Sequence, residues 1–252
     1  MVIKNITFAG ETHIGLKRTN NEDKFLIKEL RDLTILVVAD GVGGNPGGEI
    51  ASGILADTIR DADFSGENIA SELTLVLNAA QNRITDIARK KDMEGMGTTA
   101  TIVILCQNQV DWIHVGDSRF YCLRKGVLQQ ITTDHTFIQD LIDDGTLTLE
   151  TAKKHPLKNM LDQCLGCEEI EPESGELHVE KGDRLLLTSD GLTDLVPDHR
   201  IASLLNTNST VQESVQNLIQ AALRNHREDE AREEMNLTSV RVTGINLFNW
   251  LT

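Results

Sequence analysis

The sequence predicts an α+β domain built in layers. Three observations carry the prediction: short β-branched runs ending at Asp-Gly or Gly-Asp, long stretches with apolar residues at helical spacing, and no one-strand, one-helix rhythm of a parallel sheet. Leu33 to Ala39 (LTILVVA) is the first such run and reads as a buried strand that delivers Asp40 into a loop. The stretch Gly41 to Gly48 holds too much glycine and proline for a helix or strand interior. Glu49 to Ile59 and Ile69 to Ala88, the latter with Leu73, Val76, Leu77, Ile84 and Ile87, predict two amphipathic helices.

Thr101–Leu105, Val110–Val115 and Arg119–Leu123 then alternate around the turn residues Gln107-Asn108-Gln109 and Gly116-Asp117, which predicts an antiparallel meander. Asp134 to Cys164 is polar with short helical pieces, broken at His155-Pro156, and reads as an inserted surface segment. Arg184 to Thr188 is a strand ending at Ser189-Asp190-Gly191; Val211 to Leu223 is a helix; Leu237 to Val242 is a last strand. No repeat of fixed period, low-complexity tract or linker divides the chain, so a single domain over residues 1–252 is expected.

Hydrophobic residues make up 40% and charged residues 25%, the composition of a globular protein. A formal net charge of −15 opposes nucleic acid as a partner, because that affinity comes largely from Lys and Arg replacing phosphate counterions. No apolar run approaches the roughly 20 residues that span a bilayer, and Met1 to Asn5 lacks signal-peptide character, so a cytoplasmic protein without membrane partners is expected, and a monomer. Cys106, Cys122, Cys164 and Cys167 are too few and too irregular for a disulfide scaffold, and free thiols are expected. Cys164-Leu165-Gly166-Cys167 has C-x-x-C spacing but no second pair to complete a zinc site, and neither zinc nor redox chemistry is expected there.

Four acidic features lie at strand ends or in loops: Arg18 with Asn21-Glu22-Asp23, Asp40-Gly41, Gly116-Asp117-Ser118-Arg119 and Ser189-Asp190-Gly191. Alone, each reads as a turn or a helix start. If they converge, their mutual repulsion in a cleft calls for cations, and all-oxygen ligands favour Mg²⁺ or Mn²⁺. Glycine after Asp40 and Asp190 would let the backbone approach a hydrated ion. The chemistry implied is metal-assisted hydrolysis.

The ordered set Arg18-x-x-x-Glu22-Asp23, Asp40-Gly-x-Gly-Gly44, Gly97-Thr-Thr99, Gly116-Asp-Ser-Arg119 and Ser189-Asp-Gly191 resembles the type-2C (PPM) protein phosphatases, specifically their compact bacterial members, over nearly the whole chain. The resemblance implies a four-layer α-β-β-α sandwich of two antiparallel sheets flanked by helices. It implies hydrolysis of phosphoserine and phosphothreonine, sometimes phosphotyrosine, with two Mn²⁺ or Mg²⁺ ions and a third, weaker one. Carried over by position, Asp40 would bridge two metals, Gly41 would offer a carbonyl, and Glu22 and Asp23 would hold metal-bound water. Asp190 would bind the first metal, Asp117 with Asp190 the third ion, and Arg18 the substrate phosphate. The resemblance further implies direct attack by water without a phosphoenzyme, phosphorylated substrates of a serine/threonine kinase, and a substrate-choosing flap at about 134–166. His135 and His155, within that flap, are expected to pack or cap the loop.

One position departs from the family pattern. An Asp-Asn-x-Thr motif is expected before the last strand, and the chain has Met235-Asn236-Leu237-Thr238. A thioether is a poor ligand for hard cations. Glu233 and Glu234 are adjacent in sequence but would point elsewhere on an extended backbone, so neither is expected to replace the missing carboxylate. Two readings follow: a phosphatase with a weakened first metal site, and a catalytically impaired homologue that binds phosphoproteins or regulates a partner.

Overall fold

A computed structural model describes residues 6–43, 46–152, 155–232 and 242–247. Its strands are β1 (Phe8–His13), β2 (Lys24–Glu29), β3 (Leu33–Ala39), β4 (Ala100–Cys106), β5 (Gln109–Val115), β6 (Arg119–Arg124), β7 (Val127–Gln130), β8 (Glu173–His178), β9 (Arg184–Thr188) and β10 (Val242–Leu247). Its helices are α1 (Gly48–Asp61), α2 (Ile69–Lys91), α3 (Phe137–Asp143), α4 (Leu149–Ala152), α5 (Asp190–Thr193), α6 (Asp198–Leu205) and α7 (Val211–Arg232). The strands form two five-stranded sheets, ordered β1-β10-β9-β6-β7 and β2-β3-β4-β5-β8, with every neighbouring pair antiparallel.

Side-chain alternation builds the layers. On β3, Ile35 and Val37 face α1 and α2, while Leu36 and Val38 face the other sheet; on β4, Ile102 and Ile104 face the helices and Val103 and Leu105 the sheet. On β6 and β9, Phe120, Cys122, Leu185 and Leu187 complete the inter-sheet core, and Tyr121, Leu123 and Leu186 face α6 and α7. The result is the four-layer α-β-β-α sandwich. Because both faces of the central strands are dry, their sequences are continuous apolar runs rather than a polar-apolar alternation.

The helices are closed by ordinary local chemistry. Asn68 caps α2 by accepting from the Ser71 N–H (3.1 Å), and Arg89, Lys90 and Lys91 sit where the helix dipole favours cations. Lys28, reaching over from β2, donates to the Ile59, Arg60 and Ala62 carbonyls at the end of α1 (3.2, 2.9 and 2.6 Å).

Three expectations change. The meander is divided between sheets: β4 and β5 pair in one, and after Gly116 (φ 108°) and Asp117 the chain enters the other as β6, between β7 and β9. The sequence shows a turn there, and a turn and a crossover use the same residues. The last strand occupies Val242–Leu247, paired on both sides with β1 and β9; of the expected run Leu237 to Val242 only its final residue is described. Cys106 and Cys122 are free thiols as expected, but Cys164 and Cys167 are joined in a disulfide. Their Cα atoms are 5.4 Å apart, inside the range that a disulfide spans. Among the described residues no helix is long and apolar enough to cross a membrane.

The inter-sheet layer should be the stability-limiting core. Leu187→Ala, at a fully buried position between the sheets, is expected to lower unfolding free energy by about 2–5 kcal/mol. Urea denaturation of both proteins checks this, and a loss below about 1 kcal/mol would contradict the packing described.

Candidate metal centre

The strand registers bring the acidic loops to one end of the sandwich. The pair Lys24↔Ala39 ends the β2–β3 ladder, so Asp23 and Asp40 are the next residues on each chain; Ala100↔Val115 leads to Thr99 and Gly116, and Arg119↔Thr188 to Ser118 and Ser189. Thus all four sequence motifs meet where both sheets run out.

Asp40 is held through its backbone. Its N–H donates to Thr99 Oγ1 (2.9 Å), and its carbonyl accepts from the Thr99 N–H (2.8 Å) and from Thr98 Oγ1 (2.9 Å). Thr99 Oγ1 also lies 2.7 Å from Ser118 Oγ, which ties this loop to the residue after Asp117. Gly41 donates its N–H to the Glu22 carbonyl (3.2 Å), which also accepts from Ser52 Oγ of α1 (2.5 Å). A Cβ on Gly41 would lie 2.4 Å from the Gly48 backbone, so glycine is required here by the close approach of the first turn of α1.

Asp23 is almost fully buried, and its Oδ2 accepts from Ser189 Oγ (2.8 Å), joining the β1–β2 loop to the end of β9. Asn21 shapes that loop: its Oδ1 accepts from the Asp23 N–H (3.1 Å) and its Nδ2 donates to Thr12 Oγ1 (2.9 Å). Arg18 leans on Glu22, Nη1 to Oε2 3.7 Å, and its Nε is buried with no hydrogen-bond acceptor among the described residues. An incoming oxyanion would satisfy that N–H.

Asp117 and Asp190 line a cavity of about 620 Å³ that runs from the strand ends under the segment carrying α3 and α4. Asp40, Glu22, Asp23 and Arg18 lie outside its lining. Burial first, then the negative charges of Asp190, Asp134 and Asp194, push the Asp117 carboxyl well above the usual carboxylate range; Arg119 opposes them. Arg119 is itself committed to Asp134, with Nε 2.8 and 3.0 Å and Nη2 2.6 Å from the carboxylate oxygens, and to Tyr121. On the far wall Lys158 Nζ (3.1 Å) and Asn159 Nδ2 (3.0 Å) both reach Asp194 Oδ2.

The donor set suits a hard, hydrated cation. Among the described residues no group of three or more His, Cys, Asp or Glu is placed to hold a metal ion. Asp40, Asp190 and the Gly41 carbonyl offer oxygen only, and Mg²⁺ characteristically takes one or two carboxylates and keeps its remaining waters. Met235 lies outside the described residues, as does the loop pair Gly44-Asn45.

The contacts that support the site carry no signal in the sequence. Arg119 and Ser118 belong to a recognisable motif, but their partners Asp134 and Thr99 lie at separations of 15 and 19 residues. His114, fully buried, donates from Nε2 to the Gly116 carbonyl (2.9 Å) and accepts at Nδ1 from the Thr101 hydroxyl (2.9 Å), holding the turn that carries Asp117. His135 stacks tilted against it at 5.0 Å and donates its N–H to the same Gly116 carbonyl (2.7 Å), the packing role expected for it.

Two outcomes follow from this geometry. Thr99→Val removes the hydroxyl that joins Asp40 to Ser118 and should weaken Mn²⁺ binding about 10–100-fold in calorimetric titration while leaving the circular dichroism spectrum unchanged. Burial, reinforced by His135, lowers the His114 pKa to about 3, so the folded protein binds fewer protons than the unfolded chain between that value and the ordinary histidine value of 6.5. The contribution of His114 is therefore complete above pH 6.5 and lost as pH falls toward 3, at up to about 1.4 kcal/mol per pH unit. Denaturant midpoints from pH 7 to 4 should fall less steeply for His114→Gln than for the parent, and equal slopes would refute the assignment.

A protein phosphatase 2C family model matches residues 9–237. The serine/threonine protein phosphatase PstP of Mycobacterium tuberculosis is 38% identical over 222 residues, which cover 87% of this chain and 42% of PstP; the chain thus spans under half the length of that curated relative. The crystal structure of the M. tuberculosis phosphatase PstP/Ppp superposes with a TM-score of 0.84 at 35% identity, covering 96% of this chain and 97% of that one. The PstP catalytic domain in complex with two manganese ions superposes with a TM-score of 0.82 at 34% identity and the same coverage. Family model, relative and fold agree: the chain belongs to the protein phosphatase 2C family.

Proposed function

We propose that the chain is a metal-dependent phosphoprotein phosphatase acting on phosphoserine and phosphothreonine. The observation that carries this reading is the convergence of Asp23, Asp40, Asp117 and Asp190 at one end of the sandwich, tied together by the Thr99–Ser118 and Ser189–Asp23 hydrogen bonds. Asp40, Asp190 and the Gly41 carbonyl would hold two Mn²⁺ or Mg²⁺ ions, with Glu22 and Asp23 acting through water, and Asp117 with Asp190 would hold a third. When bound, such ions acidify water and neutralise charge on the phosphoryl oxygens. The chain's own residues do the rest. Arg18 grips the phosphate through its buried Nε, Asp40 has its backbone fixed by two threonines before substrate arrives, and Ser189 orients Asp23.

The segment 134–166 is proposed as a flap of this single domain, rooted by Asp134 on Arg119 and held at its far side by Lys158 and Asn159 on Asp194. The partners are proposed to be proteins phosphorylated by a serine/threonine kinase, met by a monomer in the cytoplasm. Met235 favours a second reading, in which the replaced carboxylate leaves a phosphoprotein-binding or regulatory homologue with little turnover.

Hydrolysis of an aryl phosphate and of a phosphothreonine peptide, followed across a Mn²⁺ titration, separates the two. Turnover that Asp40→Ala reduces at least about 100-fold and that Met235→Asp brings to lower Mn²⁺ identifies a phosphatase with an incomplete ligand set. Activity seen only in Met235→Asp would identify the regulatory form. Rapid acid quench during turnover should trap no phosphorylated protein, and a covalent phosphoenzyme would refute direct attack by water.

A further inference from the structure

The Cys164–Cys167 disulfide stands apart from the chemistry above. It closes a loop with a sequence separation of only 3, so it constrains the unfolded chain far less than a long-range cross-link and is poorly suited to be a structural staple. Its two sulfurs also differ in environment: Cys164 is buried, whereas Cys167 is partly exposed.

The enclosed residues bridge by backbone to Thr98, which is bridged on its other edge to Gly41. Leu165, fully buried, donates its N–H to the Thr98 carbonyl and accepts from the Thr98 N–H, both at 2.9 Å. Thr98 in turn donates its hydroxyl to the Asp40 carbonyl. Behind the loop, Gln81 of α2 accepts from the Gly166 N–H (2.6 Å) and donates to the Cys167 carbonyl (2.7 Å). Gly97 faces the disulfide so closely that a Cβ there would lie 2.7 Å from Cys164 Sγ and 2.9 Å from the Leu165 carbonyl oxygen. Two thiols no longer bonded must separate to non-bonded contact, and Cys164 has the Gly97 backbone against it, so the displacement falls on the 164–167 loop and on its bridge to Thr98.

We propose that Cys164 and Cys167 form a reversible thiol–disulfide site whose reduction loosens the Leu165–Thr98 bridge and so weakens the positioning of Asp40. The reductant is a dithiol. Its first thiolate attacks the accessible Cys167 sulfur, the Cys164–Cys167 bond breaks, and Cys164 leaves as a thiolate that takes up a proton. The second thiol of the reductant, deprotonated, then attacks its own sulfur in the mixed disulfide, and Cys167 leaves and is protonated. Two electrons and two protons have passed from the dithiol, which ends as a disulfide; a disulfide oxidant runs the steps backwards. The consequence for turnover rests on the phosphatase reading, whereas the redox site and its bridge do not.

The test equilibrates the whole chain across a ladder of reduced and oxidised dithiothreitol. Alkylation and mass spectrometry count the thiols at 164 and 167, hydrogen exchange follows the Thr98 and Leu165 amides, and calorimetry measures Mn²⁺ affinity. The expected result is a single reversible step in which both amides exchange at least about tenfold faster and Mn²⁺ binds about tenfold more weakly in the reduced form. The double variant Cys164→Ser with Cys167→Ser should match the reduced form at every point of the ladder, and Cys106→Ser with Cys122→Ser should keep the full response. Thiols at 164 and 167 that remain alkylatable at the oxidising end, or exchange and affinity unchanged between the two forms, would overturn the proposal. Absence of hydrolysis in both forms, with the exchange step intact, would sink the phosphatase reading and leave the redox site standing.

Discussion

The central strands of both sheets are dry on both faces, and the rest of the molecule is arranged around that constraint. Leu36, Val38, Phe120, Leu185 and Leu187 fill the space between the sheets, while Ile35, Val37, Ile102 and Leu186 are covered by helices on the outside. A buried ionisable group on such strands needs partners, as His114 on β5 has in Thr101 and the Gly116 carbonyl, so most of the polar chemistry lies at the strand ends. The antiparallel registers then place the ends of β3, β5 and β9 together, each followed by an aspartate within two residues.

Holding those carboxylates in place without neutralising them requires neutral donors. Threonine and serine hydroxyls and backbone N–H groups do this around Asp23 and Asp40, whereas Arg119 and Lys158 are engaged by Asp134 and Asp194 at the periphery. The centre therefore keeps its negative potential, which adds to burial in raising the pKa of Asp117, and a hydrated divalent cation is the species that fits it. The same outer pairs anchor the segment that roofs the cavity, so the electrostatics of the centre and the placement of that segment share residues.

The region behind Asp40 is built almost entirely from backbone. Thr98 bridges to Leu165, Val42 donates its N–H to the Gly97 carbonyl (2.9 Å), and Gly41 is pressed against Gly48. Such contacts are directional and short in reach, and a small displacement of one loop is passed to the next rather than absorbed by side-chain rotamers. That is the physical basis for connecting the Cys164–Cys167 loop to the candidate metal centre.

Strand β3, helices α1 and α2, and the pieces β4, β5 and β9 were legible in the sequence because long apolar runs and helical periodicity are local signals. Strands β1 and β2 (FAGETH and KFLIKE) were not, since they are half-buried and mixed in polarity, and α5 and α6 are too short to show a period. The four acidic motifs and the chemistry they suggest were also readable, because strand-end Asp-Gly and Gly-Asp pairs are contiguous. Their convergence was not, nor were the split of the meander between sheets, the commitment of Arg119 to Asp134 and the pairing of Cys164 with Cys167. The sequence by itself determined which segments are apolar, which residues are acidic and in what order they come. Only the tertiary structure decided which of them meet, because hydrogen bonds, ion pairs, sheet registers and even the pairing of two cysteines three residues apart depend on distance in space rather than on order along the chain.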